Sequence, residues 1–169
     1  EKFDKLKDWN NKINNTDIKN IRKWIAKQLS FKKCFKGVAI KPGRPIMLSK
    51  LKQKNKLFFG LPGNPISCAA GLRFFIYPLM RKSLGMKEEK SLKAKLTNSY
   101  EKVKNFTHFV RCFSEIDNKG LVKLEVLPGQ QSNKIKSFIH ANCWGLFPEG
   151  KSKFKKGDII EWVPLIPGS

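Results

Sequence analysis

The sequence predicts an α/β segment over residues 1–88 followed by a small, mostly β domain over residues 89–169. Its opening third places apolar residues at helical spacing, whereas residues 35–61 hold short apolar runs split by rigid turns. A strand-like run then passes straight into a long apolar helix pattern, and beyond Lys90 short strand-like runs recur between turn signals. Hydrophobic residues make up 40% of the 169 residues, which supports a real core and argues against disorder.

Two amphipathic helices are expected first. FDKLKDWNNKI aligns Phe3, Leu6 and Ile13, and DIKNIRKWIAKQL aligns Ile18, Ile21, Trp24, Ile25 and Leu29. NNT between them is a turn, with Asn15 or Thr16 capping the second helix and Trp9 and Trp24 as anchors. From Phe35 the period changes. FKGVAI predicts a buried strand, KPGRP a rigid turn, and IMLSKL and LFFGL a hairpin around KQKNK. A helix from Pro65 to Leu84 follows, burying Ile66, Ala69, Ala70, Leu72, Ile76, Leu79 and Met80, bending at Pro78 and stopping at Gly85. The domain boundary falls between residues 85 and 91. LKAKLTNSYEKV, HFVRCFSEI, LVKLEVL, CWGLFPEG and DIIEWVPLI are strand candidates, DNKG, LPGQQSN and KKGD their turns, and KIKSFIHAN a short helix. No internal repeat is present.

A net charge of +22 favours an anionic partner: nucleic acid, a phosphate-bearing metabolite or an acidic membrane. The lysines are spread along the chain among many asparagines, a pattern that general compositional bias also produces. No run of about 18 apolar residues occurs, which excludes a spanning helix, and the charged opening EKFDKLKDWNN is unlike a signal peptide. A cytoplasmic protein is expected, and Cys34, Cys68, Cys112 and Cys143, with no C-x-x-C pair, read as buried reduced thiols. His108 and His140 have no acid or nucleophile beside them and read as structural or surface residues; Trp144 and Trp162 read as core.

Chemistry concentrates at two stiff turns. In Leu61-Pro62-Gly63-Asn64-Pro65, Pro65 suits the first helical position, Asn64 the cap, Gly63 a close approach, and Pro62 stiffens the entry. Ser67 adds a hydroxyl in the first turn. A helix mouth built this way offers N–H groups to an anion, although an ordinary strand-to-helix turn has the same composition. Lys41-Pro42-Gly43-Arg44-Pro45, one hairpin upstream, supplies two cations, and together the turns suggest an oxyanion-binding corner.

VAIKPGRP, then FGLPGNPIS, then a helix ending P-L-x-R-x-x-L-G resembles the molybdopterin molybdotransferase family, which includes the bacterial MoeA enzymes and the C-terminal part of gephyrin. F-x-R-C, P-G-Q-Q-S, H-A-N-C and K-K-G-D-I-I-E-W-V follow in the family's order, so the resemblance spans residues 35–166. It implies that residues 1–88 are the C-terminal part of a three-layer molybdopterin-binding domain with an N-terminal helical insertion, and that residues 89–169 are like the family's domain IV. It implies insertion of molybdate into adenylylated molybdopterin, with Mg²⁺, releasing AMP and molybdenum cofactor. It further implies a cytoplasmic homodimer formed through the full-length protein and a molybdopterin adenylyltransferase as partner. By position, Lys41 and Asp4 correspond to catalytic residues, Pro62 and Pro65 to the prolines framing the helix mouth, and Arg111 and Ser132 to substrate-binding residues of the last domain. Arg44, Gly63, Asn64 and Ser67 complete the substrate-binding set, and no metal ligand is assigned.

The chain departs from the family pattern in three places. Gly37 stands where a basic residue is usual, Gln131 where glycine is common, and the G-G-x-S-x-G part of the stretch ending in the family aspartate is absent before Asp4. The resemblance therefore implies a C-terminal fragment carrying part of a site. A non-catalytic, gephyrin-like peptide-binding scaffold is a second reading. Nucleic-acid binding driven by charge is a third, and no RNA- or DNA-binding signature accompanies it.

Overall fold

The computed structural model describes residues 31–51 and 56–167. The expected N-terminal helices with Trp9 and Trp24, together with Asp4, lie outside the described residues, as does most of the KQKNK turn. The strands are β1 (Phe31–Lys36), β2 (Ile40–Lys41), β3 (Met47–Leu51), β4 (Leu57–Gly60), β5 (Leu92–Leu96), β6 (Tyr100–Glu101), β7 (Thr107–Ile116), β8 (Val122–Val126), β9 (Cys143–Phe147), β10 (Lys153–Phe154) and β11 (Ile159–Pro164). The helices are α1 (Pro65–Gly71), a π turn (Leu72–Ile76), α2 (Tyr77–Ser83) and α3 (Lys136–His140).

The chain divides into two compact units. The first, residues 1–35 and 48–58, carries most of a three-stranded sheet of order β1-β3-β4, with Leu51 N–H donating to Lys56 O across the expected hairpin. The strand expected over FKGVAI is two separate pieces. β1 ends at Lys36 because the chain folds back on itself: Gly37 N–H donates to Ile46 O and Val38 N–H to Arg44 O.

The second unit, residues 36–47 and 59–169, is built on a sheet of order β2-β7-β8-β5-β11-β9. β9 also pairs with β7, so β7-β8-β5-β11-β9 closes into a barrel, and closure removes the exposed edges that an open sheet would leave. Alternation along the strands sends Ala94, Leu96, Val110, Cys112, Leu124, Val126, Cys143, Phe147 and Ile160 inward. The interior is tight: a Cβ on Gly145 would come within 2.9 Å of both Cys112 Sγ and the Phe147 ring. A second layer covers the outer face, where Ile66, Ala70, Trp144 and Val163 are buried with Phe74, Phe109 and Phe138 against them. Phe74 stacks on Phe109 at 3.7 Å.

The helix after β4 starts and stops where expected. Asn64 caps it and Pro65 opens it; Gly85, at φ +69°, ends it with Met86 N–H on Arg81 O and Gly85 N–H on Lys82 O, a Schellman closure. Its middle differs. In place of a simple bend at Pro78, a π turn precedes the proline, with Tyr77 N–H reaching back to Leu72 O. Leu72 and Met80, expected in the core, are about half exposed, while Arg73 turns inward. Arg73 donates Nε–H to Pro164 O and both terminal nitrogens to the Glu89 carboxylate, tying helix, linker and β11 together.

Of the four cysteines, Cys112 and Cys143 are buried; Cys68 is half-buried and Cys34 exposed, which corrects the expectation of four buried thiols. Trp144 is core, as its strand position indicated.

Candidate functional site: the KPGRP corner

The two stiff turns meet. Gly43 has φ +107°, which side-chain-bearing residues rarely adopt, and a Cβ there would lie 3.7 Å from Ser67 O, so KPGRP runs beside the first turn of α1. Pro42 and Gly43 are buried there, while Lys41 and Arg44 on either side remain exposed. Among the described residues neither cation forms an ion pair.

The barrel positions both cations. β2 runs parallel to β7 with Ile40 opposite Thr107 and Lys41 opposite His108, and Thr107 N–H donates to Ala39 O at 2.9 Å. The Arg44 guanidinium lies over the Phe106 ring, 5.6 Å from its centroid. Phe106 O in turn accepts from Lys102 Nζ at 2.7 Å, and burial pushes the Lys102 ammonium down from its ordinary pKa.

At the helix mouth, Asn64 Oδ1 accepts from Ile66 N–H at 3.1 Å and Ser67 N–H at 3.4 Å, and Pro65 has no N–H. The bare amides expected for an anion are thus taken by the helix's own cap. Of the helix-mouth residues, Ser67 lies beside Gly43, its O 3.7 Å from a Cβ placed there, and the exposed cations of the turn are Lys41 and Arg44.

Arg111 and Ser132 belong to a different place. Arg111 is fully buried on the outer face of β7. Its Nε–H donates to Ser137 Oγ at 2.8 Å and one terminal nitrogen donates to Gly129 O and Gln131 O, while the other, Nη1, has no partner among the described residues. The guanidinium therefore holds the loop on which Ser132 sits half-buried. Gln130, which the sequence reading passed over, completes this staple: its amide accepts from Arg111 N–H and donates to Arg111 O and Leu127 O. The PGQQS spacing put Gln130 beside the buried arginine, and only the fold reveals that its side chain stands in for a strand neighbour.

His108 was read as structural or surface, and its surroundings are polar as well as buried. It is 6% exposed, its Nδ1 lies 3.0 Å from the Tyr100 hydroxyl, and Nε2 is buried without a partner among the described residues. Burial, then Lys102 and Lys41 nearby, push its pKa down to about 4. Tyr100 is pushed up to about 12, chiefly by burial. The signal available in the sequence was alternation: His108 shares its face of β7 with Val110 and Cys112, both barrel interior.

Among the described residues no group of three His, Cys, Asp or Glu side chains gathers to hold a metal. The corner offers cations, so the Mg²⁺ implied by the resemblance finds no donor set there. A cavity of about 500 Å³ is lined by Phe109, Leu146, Phe154, Ile159, Lys151 and Glu161 among others, and includes none of Lys41, Arg44, Arg111 or Ser132.

Residues 93–165 match the family described as MoeA C-terminal region (domain IV), and residues 18–82 match the one described as probable molybdopterin binding domain. The molybdopterin molybdenumtransferase of Staphylococcus aureus (strain COL) is 29% identical over 143 residues, covering 82% of this chain and 33% of the relative. That of Haemophilus influenzae is 29% identical over 134 residues, covering 78% and 33%. The crystal structure of molybdopterin biosynthesis moeA protein from Pyrococcus horikoshii OT3 superposes with a TM-score of 0.65 at 23% identity, covering 83% of this chain and 33% of that one. The chain spans about a third of the length of the relatives it matches.

Proposed function

Because the chain belongs to the molybdopterin molybdotransferase (MoeA) family, we propose that it serves the insertion of molybdate into adenylylated molybdopterin, with release of AMP. The chain supplies one wall of that site, within the three-layer domain and homodimer of a full-length, cytoplasmic protein fed by a molybdopterin adenylyltransferase. The observation that carries this reading is the pair of exposed cations, Lys41 and Arg44, on a turn that runs beside α1 at Gly43 and is held against the barrel by β7 and Phe106.

Both substrates are oxyanions, and cleaving an adenylate needs negative charge met by fixed positive charge at the phosphate. Lys41 and Arg44 provide it from a turn that needs no ordering on binding. Lys41 acts as the catalytic cation and Arg44 as a binding one, with Pro62 to Pro65 and Ser67 at the adjoining helix mouth. Arg111 acts through the loop it holds, presenting Ser132. Mg²⁺ and the role of Asp4 rest on the family alone.

Equilibrium dialysis of the 169-residue chain against molybdate and against AMP tests the reading. Lys41→Ala and Arg44→Ala are each expected to weaken binding by about tenfold or more, as loss of a charge-assisted contact does. Unchanged affinity in both variants overturns it. A second reading, a non-catalytic peptide-binding module, draws on the cavity lined by Phe109, Leu146 and Ile159 with Lys151 and Glu161 at its wall. Saturable peptide binding indifferent to Lys41→Ala would favour it.

A further inference from the structure

The oxyanion corner has a buried neighbour with no task of its own. His108 stands directly opposite Lys41 in the β2–β7 pairing, almost wholly enclosed, with Nδ1 tied to the Tyr100 hydroxyl and Nε2 without a partner among the described residues. Buried polar atoms are nearly always bonded, and an unpaired one calls for an explanation. We propose that His108 couples the binding of a tetrahedral oxyanion at Lys41 to the uptake of a proton from solvent. The inference rests on the assignment of Lys41 to the oxyanion site and adds its regulation by pH.

The charged and titratable groups around the imidazole define the device. Tyr100 faces it from β6, Lys102 from the loop that follows, and Lys41 from β2; on β9 its opposite is the apolar Phe147. Around that shell, Glu149 acts on Lys102, and Arg111 and Cys112 act on Tyr100. Among the described residues no carboxylate bonds the ring. In the free protein the imidazole faces two ammonium groups from a buried position and stays neutral. An oxyanion seated on Lys41 neutralises the Lys41 part of that field, while burial and Lys102 continue to act on the ring. With Nδ1–H donating to Tyr100, the vacant Nε2 then takes the proton, and the bound anion is its counter-charge. The result is an anion site that tightens as pH falls.

Binding is measured on the whole chain by calorimetry in buffers of different ionisation enthalpy, with His108 followed by NMR. Two probes of constant charge between about pH 5 and about pH 8 separate the sources of the oxyanion: inorganic sulfate for a free dianion, and the methyl ester of AMP for a nucleotide phosphate. The expected result is net proton uptake, up to one per bound anion. Affinity should rise as pH falls from about 6 toward about 4, by at most about tenfold per pH unit, and the His108 pKa should rise above about 4 when the anion is bound. Uptake with either probe sustains the proposal and identifies the anion. In His108→Asn, which retains a neutral polar group, the pH dependence should vanish; its persistence overturns the proposal. Lys41-dependent binding without proton uptake, and without movement of the wild-type His108 resonance, overturns the coupling alone. If neither probe binds in a Lys41-dependent way, the oxyanion assignment falls and the coupling with it.

Discussion

On β7 the side chains alternate between two environments, and the polar residue in each follows different physics. His108 faces the barrel interior, where charging it costs desolvation and repulsion from Lys102 and Lys41. Its folded pKa of about 4 lies below the unfolded value of 6.5, so between those values the unfolded chain binds more protons. Stability is therefore full above pH 6.5 and is lost as pH falls toward 4, by on the order of 3 kcal/mol from this residue. Urea unfolding at stepped pH, in buffers free of oxyanions, measures it; a profile no flatter in His108→Asn removes His108 as the cause. Arg111 faces outward yet is fully buried, with its guanidinium and backbone both engaged by the 127–137 loop. Arg111→Ala removes a donor to Ser137 Oγ and Gln131 O, leaves Gly129 O only its bond from Ser137 Oγ, and should cost about 3–5 kcal/mol. Arg111→Lys keeps the charge and loses the fork, and should recover only part of that. Chemical denaturation of the two variants decides it. The sequence marked Arg111 by resemblance but gave no hint of its burial, because the enclosing loop lies 18 to 26 residues away.

At the scale of elements, ends were legible and middles were not. The start at Asn64-Pro65 and the stop at Gly85 are local: each depends on side chains and dihedrals within one turn, so composition alone betrays them. Asn64→Ala removes the acceptor of two amide groups and should lower stability by about 1 kcal/mol. The same variant should leave molybdate affinity nearly unaltered, since the cap consumes those amides internally. A loss of molybdate binding as large as that of Lys41→Ala would instead make the helix mouth the anion site. The π turn was not legible, because it answers to partners distant in the chain. Arg73 turns inward to meet Pro164 O and Glu89, and Phe74 reaches Phe109 on the barrel. A helical pattern read by period alone put Leu72 and Met80 in the core, where the packing leaves them about half exposed. The KPGRP turn falls between these cases: its rigidity was evident from composition, whereas its attachment to β7 is a parallel pairing across 67 residues that no turn signal encodes.

For the molecule as a whole, the strand candidates beyond Lys90 were nearly all correct, yet what makes them a barrel is the second pairing of β9 with β7, a non-local contact. β2 joins the same sheet although it precedes the 85–91 boundary, so the corner draws on both sequence regions. Set against this closed scaffold is a net charge of +22, with 35 Lys and Arg to 13 Asp and Glu. Among the described residues the exposed ion pairs, Lys123–Asp117, Lys151–Asp158 and Lys153–Glu101, are too few to offset it, and exposed pairs contribute little individually. Most of the cations therefore repel one another across the folded surface, and folding gathers them closer than the unfolded chain does. Added salt shortens the range of that repulsion, with a Debye length of about 30 Å at 0.01 M and about 10 Å at 0.1 M. Raising sodium chloride from about 10 mM to about 200 mM should accordingly raise the Tm, with most of the gain complete by about 100 mM. Sulfate at equal ionic strength should raise it further if an oxyanion seats at Lys41, because a ligand that binds only the folded state adds its own stabilisation. In Lys41→Ala that surplus should disappear while the chloride effect remains. Differential scanning calorimetry of the two proteins in both salts separates general screening from the site. A Tm that falls with chloride would mean that ion pairing, rather than repulsion, governs this surface.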